Sequence, residues 1–151
     1  MDAAEQIRSA RIRAGTTQEE LARRSGVAQP NIAAYETGAR SPSTTMLRRL
    51  IAAARPRPSS VLQERLAAVL STVAQHKAGN VRVFGSVARG DDTYDSDVDL
   101  LVTFGDDATI LDQSRIVIDL ENLLRCDVDV VSDATLGRRA ASILRDAVPL
   151  A

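Results

Sequence analysis

Apolar residues recur every three to four positions through the first third of the chain, then give way to short unbroken apolar runs set between polar stretches. The first pattern predicts four short helices over residues 3–54. Ile7, Ala10 and Ala14 mark the inner face of the first, and Gly15 is placed to stop it. Thr17 and Glu20 form a capping box opening the second, where Leu21 and Ala22 face inward. Gly26 in "SGVA" is available for a left-handed turn. "AQPNIAAYETG" reads as the third helix, with Pro30 in its first turn and Gly38 at its end. Ser43 caps a fourth, carrying Met46, Leu47, Leu50 and Ile51. "RPRPSS", residues 55–60, then interrupts helix, because each proline lacks an N–H and disfavours helix at the residue before it. The expected organisation is two domains, residues 1–55 and 61–151, joined by a semi-rigid linker at 56–60.

In the second domain, apolar residues at 62, 66, 69, 70 and 73 predict one amphipathic helix, with His76 near its end read as solvent-facing. "VRVFGS" is a strand, "SVARG" a turn or helix, "DDTYDSD" a polar loop and "VDLLVTF" a buried strand. "TILDQSRIVIDLENLLR" is a helix, "VDVVS" a third strand, and "ATLGRRAASILRDAV" a closing helix. This order predicts an α/β domain with a small mixed sheet covered by helices.

Charge sharpens the division. Residues 1–58 hold ten arginines against five acids, whereas the remainder holds nine basic and fifteen acidic residues. A basic half joined to an acidic half predicts two modules with different partners. Aromatic residues make up only 3 %, so the cores must be aliphatic. A single cysteine, Cys126, excludes an internal disulfide, and no apolar run approaches a membrane span. With no signal-like stretch at the start, the expected location is the cytoplasm.

Two stretches carry candidate chemistry. In the acidic half, Asp97 and Asp99 lie two apart at the start of an apolar strand, so their side chains share a face. Paired carboxylates repel unless a cation lies between them, and oxygen-only ligands favour Mg2+. Gly85 lets the backbone approach a phosphate, Ser86 adds a hydroxyl, the following helix presents N–H groups, and Arg89 brings a guanidinium fork. Asp129, on another apolar strand, is the candidate third carboxylate; Asp127 shares its parity and competes for the role from the strand edge. The acids at 91, 92, 95, 106 and 107 read as a solvated surface. In the basic half, two short helices joined by a glycine turn, with a third packed behind, read as a helix-turn-helix.

"TQEELARRSGVAQPNIAAYETGARSPSTTMLRRL" resembles the Cro/XRE-type helix-turn-helix family, and the likeness extends over residues 5–54. It implies that the third helix enters the major groove of operator DNA, with Gln29 and Asn31 facing base edges and Gln18 and Arg40 meeting phosphate. The plainer alternative makes Gln29 and Asn31 polar residues on an exposed face, while Tyr35 and Glu36 are expected to stabilise the module. Ala33 and Ala34 stand where relatives place longer polar side chains. Few half-site contacts are therefore expected, with affinity depending on a homodimer over a palindrome.

"GSVARGDDTYDSDVDLLV", with "VDVV" and the terminal "ILRDAVPL", resembles the polymerase-β-like minimal nucleotidyltransferase family. That resemblance implies two Mg2+ ions held by Asp97, Asp99 and Asp129, with the nucleotide's phosphates on Gly85 and Ser86 and Arg89 assisting. It also implies an antitoxin that transfers AMP from ATP to a tyrosine of a HEPN-type ribonuclease toxin, with Asp129 helping to activate the hydroxyl. The helix-turn-helix would repress the antitoxin's own operon. The competing expectations are a repressor whose second module only binds a nucleotide or a partner, and a transferase acting on a small hydroxylated acceptor.

Overall fold

The computed structural model describes residues Met1–Ala151 and divides into two compact units, Met1–Pro56 and Arg57–Ala151. No helix is long and apolar enough to cross a membrane.

The first unit contains α1 (Ala3–Arg13), α2 (Gln18–Ser25), α3 (Gln29–Glu36) and α4 (Thr44–Ala53). Side chains of Asp2, Thr17 and Ser43 accept the N–H of the residue three further on and so cap α1, α2 and α4. The capping box expected at α2 is only half formed, because the Glu20 carboxylate turns to Arg24 at 2.5 Å. Gly26 turns the chain between α2 and α3 at φ 71°, and a Cβ there would meet the Arg49 guanidinium at 2.7 Å. Ile7, Leu21, Ile32, Tyr35 and Leu50 fill the core.

One polar network ties three of these helices together. Arg11 donates from Nε and Nη2 to the two oxygens of Glu36, at 2.6 and 3.0 Å, and from Nη1 to the carbonyl of Thr16 at 3.0 Å. Gln18 donates to Glu36 Oε2 at 3.0 Å. Burial alone would raise the Glu36 carboxyl, but the bonds from Arg11 and Gln18 outweigh it and hold the group below its ordinary value. A depressed carboxylate stabilises fully above its unfolded pKa and loses that contribution as pH falls through the folded value. Glu36→Ala, which strands Arg11 against a side-chain site only 5 % exposed, is expected to destabilise the first unit by about 3 kcal/mol in urea unfolding. The wild-type unit should also lose stability on acidification as Glu36 protonates.

The second unit contains α5 (Pro58–Glu64), α6 (Leu66–Gln75), β1 (Ala78–Phe84), α7 (Gly85–Arg89), β2 (Val98–Phe104), α8 (Ile110–Leu124), β3 (Val128–Ser132), α9 (Ala140–Asp146) and β4 (Val148–Pro149). Two 3-10 turns, Asp133–Thr135 and Gly137–Arg139, precede α9. The sheet order is β3-β2-β1-β4, with β2 and β3 parallel and the other pairs antiparallel.

Strand parity divides its side chains. Val81, Val83, Val98, Leu100, Val102 and Val128 face a large core closed by α5, α6 and α8. The opposite face carries Phe84 and Leu101, which pack on Ile143 of α9.

Several expectations are corrected here. Residues 57–60 are not a free linker: Pro58 opens α5, where its missing N–H costs nothing, and they belong to the second unit. The single amphipathic helix is two, broken at Arg65. The closing segment is split by the 3-10 turns and followed by a fourth strand. His76 is buried, its Nε2 2.7 Å from Asp119 Oδ2 on α8. Asp92 is also buried, accepting from Arg57 Nη2 at 2.8 Å and from the Ser59 N–H at 2.9 Å.

Candidate active site and nucleic-acid interface

The carboxylates gather at the end of the sheet where β1 stops and β2 and β3 begin. Asp99 is the register partner of Phe84 on one side and of Asp129 on the other. Asp97 lies just before β2, so its side chain shares the Asp99 face. Burial, then the Asp97 and Asp129 carboxylates, push the Asp99 carboxyl above its ordinary value, while Arg139 and Arg89 pull it down. Asp127 is exposed and precedes β3, with its carbonyl accepting the Val98 N–H at 3.0 Å. The acids that raise Asp99 are thus Asp97 and Asp129, and Asp127 is not among them.

Gly85 adopts φ 71°, and a Cβ there would collide with Asp99 Oδ2, so the first residue of the phosphate-cradle motif lies directly against the central carboxylate. Ser86 is half-buried in α7, which has only five residues and contributes N–H groups but little dipole. Arg89 is engaged by two other acids. Its Nη1 donates to Asp146 of α9 at 2.8 Å, and its Nε to Asp91 at 3.4 Å, bonds that raise its own pKa. The guanidinium nearest the acids is Arg139, whose Nη1 lies 3.9 Å from Asp129 Oδ2. Nothing in the residue pattern marks Arg139, because it sits in a 3-10 turn that the sequence presents as part of a helix.

No three side chains stand close enough together to enclose a metal ion as they are. The donors nonetheless fit Mg2+. All are carboxylate oxygens, and the mutual repulsion felt by Asp99 is what a divalent cation relieves. Cys126 is no candidate nucleophile, since burial, followed by Asp127, Asp97 and Glu121, pushes its thiol up to about 11.

A nucleotidyltransferase domain model matches residues 66–149, more than half of the chain, and covers β1 to β4 with the acids between them. The chain belongs to the nucleotidyltransferase domain family. A helix-turn-helix model matches residues 7–54. The nucleotidyltransferase unit is similar to a solved structure described as "Structure of putative minimal nucleotidyltransferase", with 49 % identity and a TM-score of 0.55 over 60 % of this chain and 94 % of that one. It is also 34 % identical, over 64 residues, to a Methanocaldococcus jannaschii protein named "Putative protein adenylyltransferase"; the match covers 42 % of this chain and 69 % of that protein.

In the helix-turn-helix unit, Gln29 Nε2 donates to Gln18 Oε1 at 2.9 Å, and Gln18 in turn donates to Glu36. Gln29 is thereby held at the start of α3 by an amide chain anchored in the Arg11–Glu36 pair. Arg40 Nη1 donates to Asn31 Oδ1 at 3.3 Å on the exposed surface. Tyr35 is buried, and Glu36 is the hub of the network. An amide fixed in one orientation suits bidentate pairing with an adenine edge. Gln29→Ala is expected to weaken binding to the preferred operator about tenfold while leaving random DNA unaffected. Selection from a randomised duplex pool, followed by fluorescence anisotropy, reads both terms; equal losses on both duplexes would remove Gln29 from the reading set.

Proposed function

We propose that the chain is an autoregulating antitoxin of the cytoplasm: its nucleotidyltransferase unit transfers AMP from ATP to a tyrosine of a HEPN-type ribonuclease toxin, and its helix-turn-helix represses the shared operon. The observation that carries this reading is the register of Asp99 beside Asp129 with Gly85 packed against Asp99. The name of the Methanocaldococcus jannaschii relative supports a protein acceptor.

Asp97, Asp99 and Asp129 would hold two Mg2+ ions, which neutralise phosphate charge and align the attacking and leaving oxygens. The backbone at Gly85 and Ser86 receives the triphosphate. Asp129, at the more open edge of the set, accepts the proton of the tyrosine hydroxyl as its oxygen bonds to the α-phosphorus and pyrophosphate departs. The test is labelled ATP and Mg2+ with the full chain and the protein encoded beside it. Label on a tyrosine of that partner, lost in Asp97→Ala/Asp99→Ala, is expected. No label, or equal label from both, contradicts the reading.

One observation favours a second reading. Arg139 lies against Asp129, as a cation would in a module that binds a partner without turnover. On that reading the double variant neutralises the partner as well as the wild type does.

A further inference from the structure

The segment joining the phosphate cradle to Asp97 is clamped by a residue that follows directly on the first unit. Arg57 Nη2 donates both to the Gly90 carbonyl, at 3.2 Å, and to Asp92 Oδ1, at 2.8 Å. The Ser59 N–H donates to Asp92 Oδ2 at 2.9 Å, and the Asp92 side chain is 0 % exposed. Arg57 therefore holds the loop where α7 ends and again two residues later.

The loop then closes on itself. The Thr93 N–H donates to Ser96 Oγ at 2.9 Å, and the Ser96 N–H to the Thr93 carbonyl at 3.0 Å. The next residue is Asp97. On the cradle side, the Asp91 N–H donates to the Ser86 carbonyl at 3.1 Å. These bonds fix successive points of the loop from the cradle to Ser96, the residue before the first carboxylate.

Two features set this pair apart from an ordinary ion pair. Its carboxylate is fully out of water, where a charge is costly unless it serves a purpose that an apolar pair would not. Arg57 Nε is buried without a hydrogen-bond partner, so the guanidinium is held in a geometry that satisfies the loop at its own expense.

We infer that Arg57 and Asp92 are positioning residues for nucleotidyl transfer: their pair fixes the loop between the cradle and the acids, so that Asp97 is presented beside Asp99 only while the segment entering from the first unit is seated. This rests on the reading of Asp97 and Asp99 as the metal-holding pair. It makes residues 57–59 part of the active-site support rather than a spacer, and gives the entering segment a route to the chemistry.

The test uses the full chain with Arg57→Met, Arg57→Lys and Asp92→Asn, the last being an isostere that retains the fold if burial of an unpaired charge unfolds Arg57→Met. Three readouts are taken: hydrogen exchange of residues 91–97, Mn2+ affinity by electron paramagnetic resonance with a non-hydrolysable ATP analogue, and kcat and KM for AMP transfer. Arg57→Met should speed exchange across the loop, weaken Mn2+ binding roughly tenfold and lower kcat by about the same factor, with KM for ATP changed less than about twofold. Asp92→Asn should fall between that and wild type. Arg57→Lys, which still places a cation on Asp92, should recover most of the loss.

If wild type transfers nothing, the adenylylation reading falls, while exchange and Mn2+ affinity still decide this inference. Folded variants with wild-type exchange overturn it. So does a loosened loop with unchanged Mn2+ affinity.

Discussion

Asp97→Asn/Asp99→Asn is expected to abolish nucleotidyl transfer, by about a thousandfold or more, and at the same time to raise the melting temperature of the second unit in metal-free buffer. The two effects share one cause. Burial and the flanking Asp97 and Asp129 carboxylates hold Asp99 above its ordinary pKa. A carboxylate raised in the folded state costs nothing while protonated in both states and destabilises once ionised, so stability falls as pH rises through that range. Neutral amides of the same shape remove this cost at pH 7.

Partial exposure screens the interaction, so the rise is expected to be small but measurable. Calorimetry with and without Mg2+ separates the causes: the ion should stabilise wild type and leave the double variant unmoved. A double variant less stable than wild type without metal would show that these acids serve the fold rather than the chemistry.

Gly85→Ala is expected to lower transfer about a hundredfold and to cost stability as well. A left-handed backbone carrying a Cβ costs about 1–2 kcal/mol, and at φ 71° that cost cannot be avoided without rotating the turn. The new methyl would strike Asp99 Oδ2, so the central carboxylate must leave its place beside Asp129. Displacement of a reacting group by about an ångström is enough for the expected loss. Gly79→Ala is the control: it lies in β1 with open space around the position and should stay near wild type in both rate and melting temperature. A Gly85→Ala protein with full activity would mean that the turn does not support the site.

Much of this was legible in the residue order because it depends on local periodicity. The alternation in "VDLLVTF" places Leu100 and Val102 in the core and Asp99 on the other face. Thr109 and Asp112 form the full capping box that opens α8 where a helix was expected. The helix-turn-helix unit shows the same directness, with its turn glycine at 26 and the expected side-chain caps at Thr17 and Ser43.

The misread elements depend on partners far along the chain. Asp92 reads as one more solvated acid until Arg57, 35 residues earlier, is brought against it. His76 reads as a helix-end polar residue until Asp119, 43 residues later, closes over it. Arg89, spaced to reach a phosphate, also bonds to Asp146 of α9, 57 residues later, a contact the residue order does not show. The fourth strand has two residues, one of them proline, and is too short to show a period.

On the proposed reading, Asp97 just before β2, Asp99 and Asp129 on adjacent strands, and the turn at Gly85 form one metal-dependent nucleotide site. Diffraction at the manganese absorption edge, from crystals of the full chain grown with Mn2+ and a non-hydrolysable ATP analogue, tests it most directly. The account predicts anomalous density ligated by Asp97, Asp99 and Asp129 together, with the analogue's phosphates over Gly85 and Ser86. Manganese bound elsewhere, or Asp129 still turned to Arg139 with nucleotide present, would contradict it.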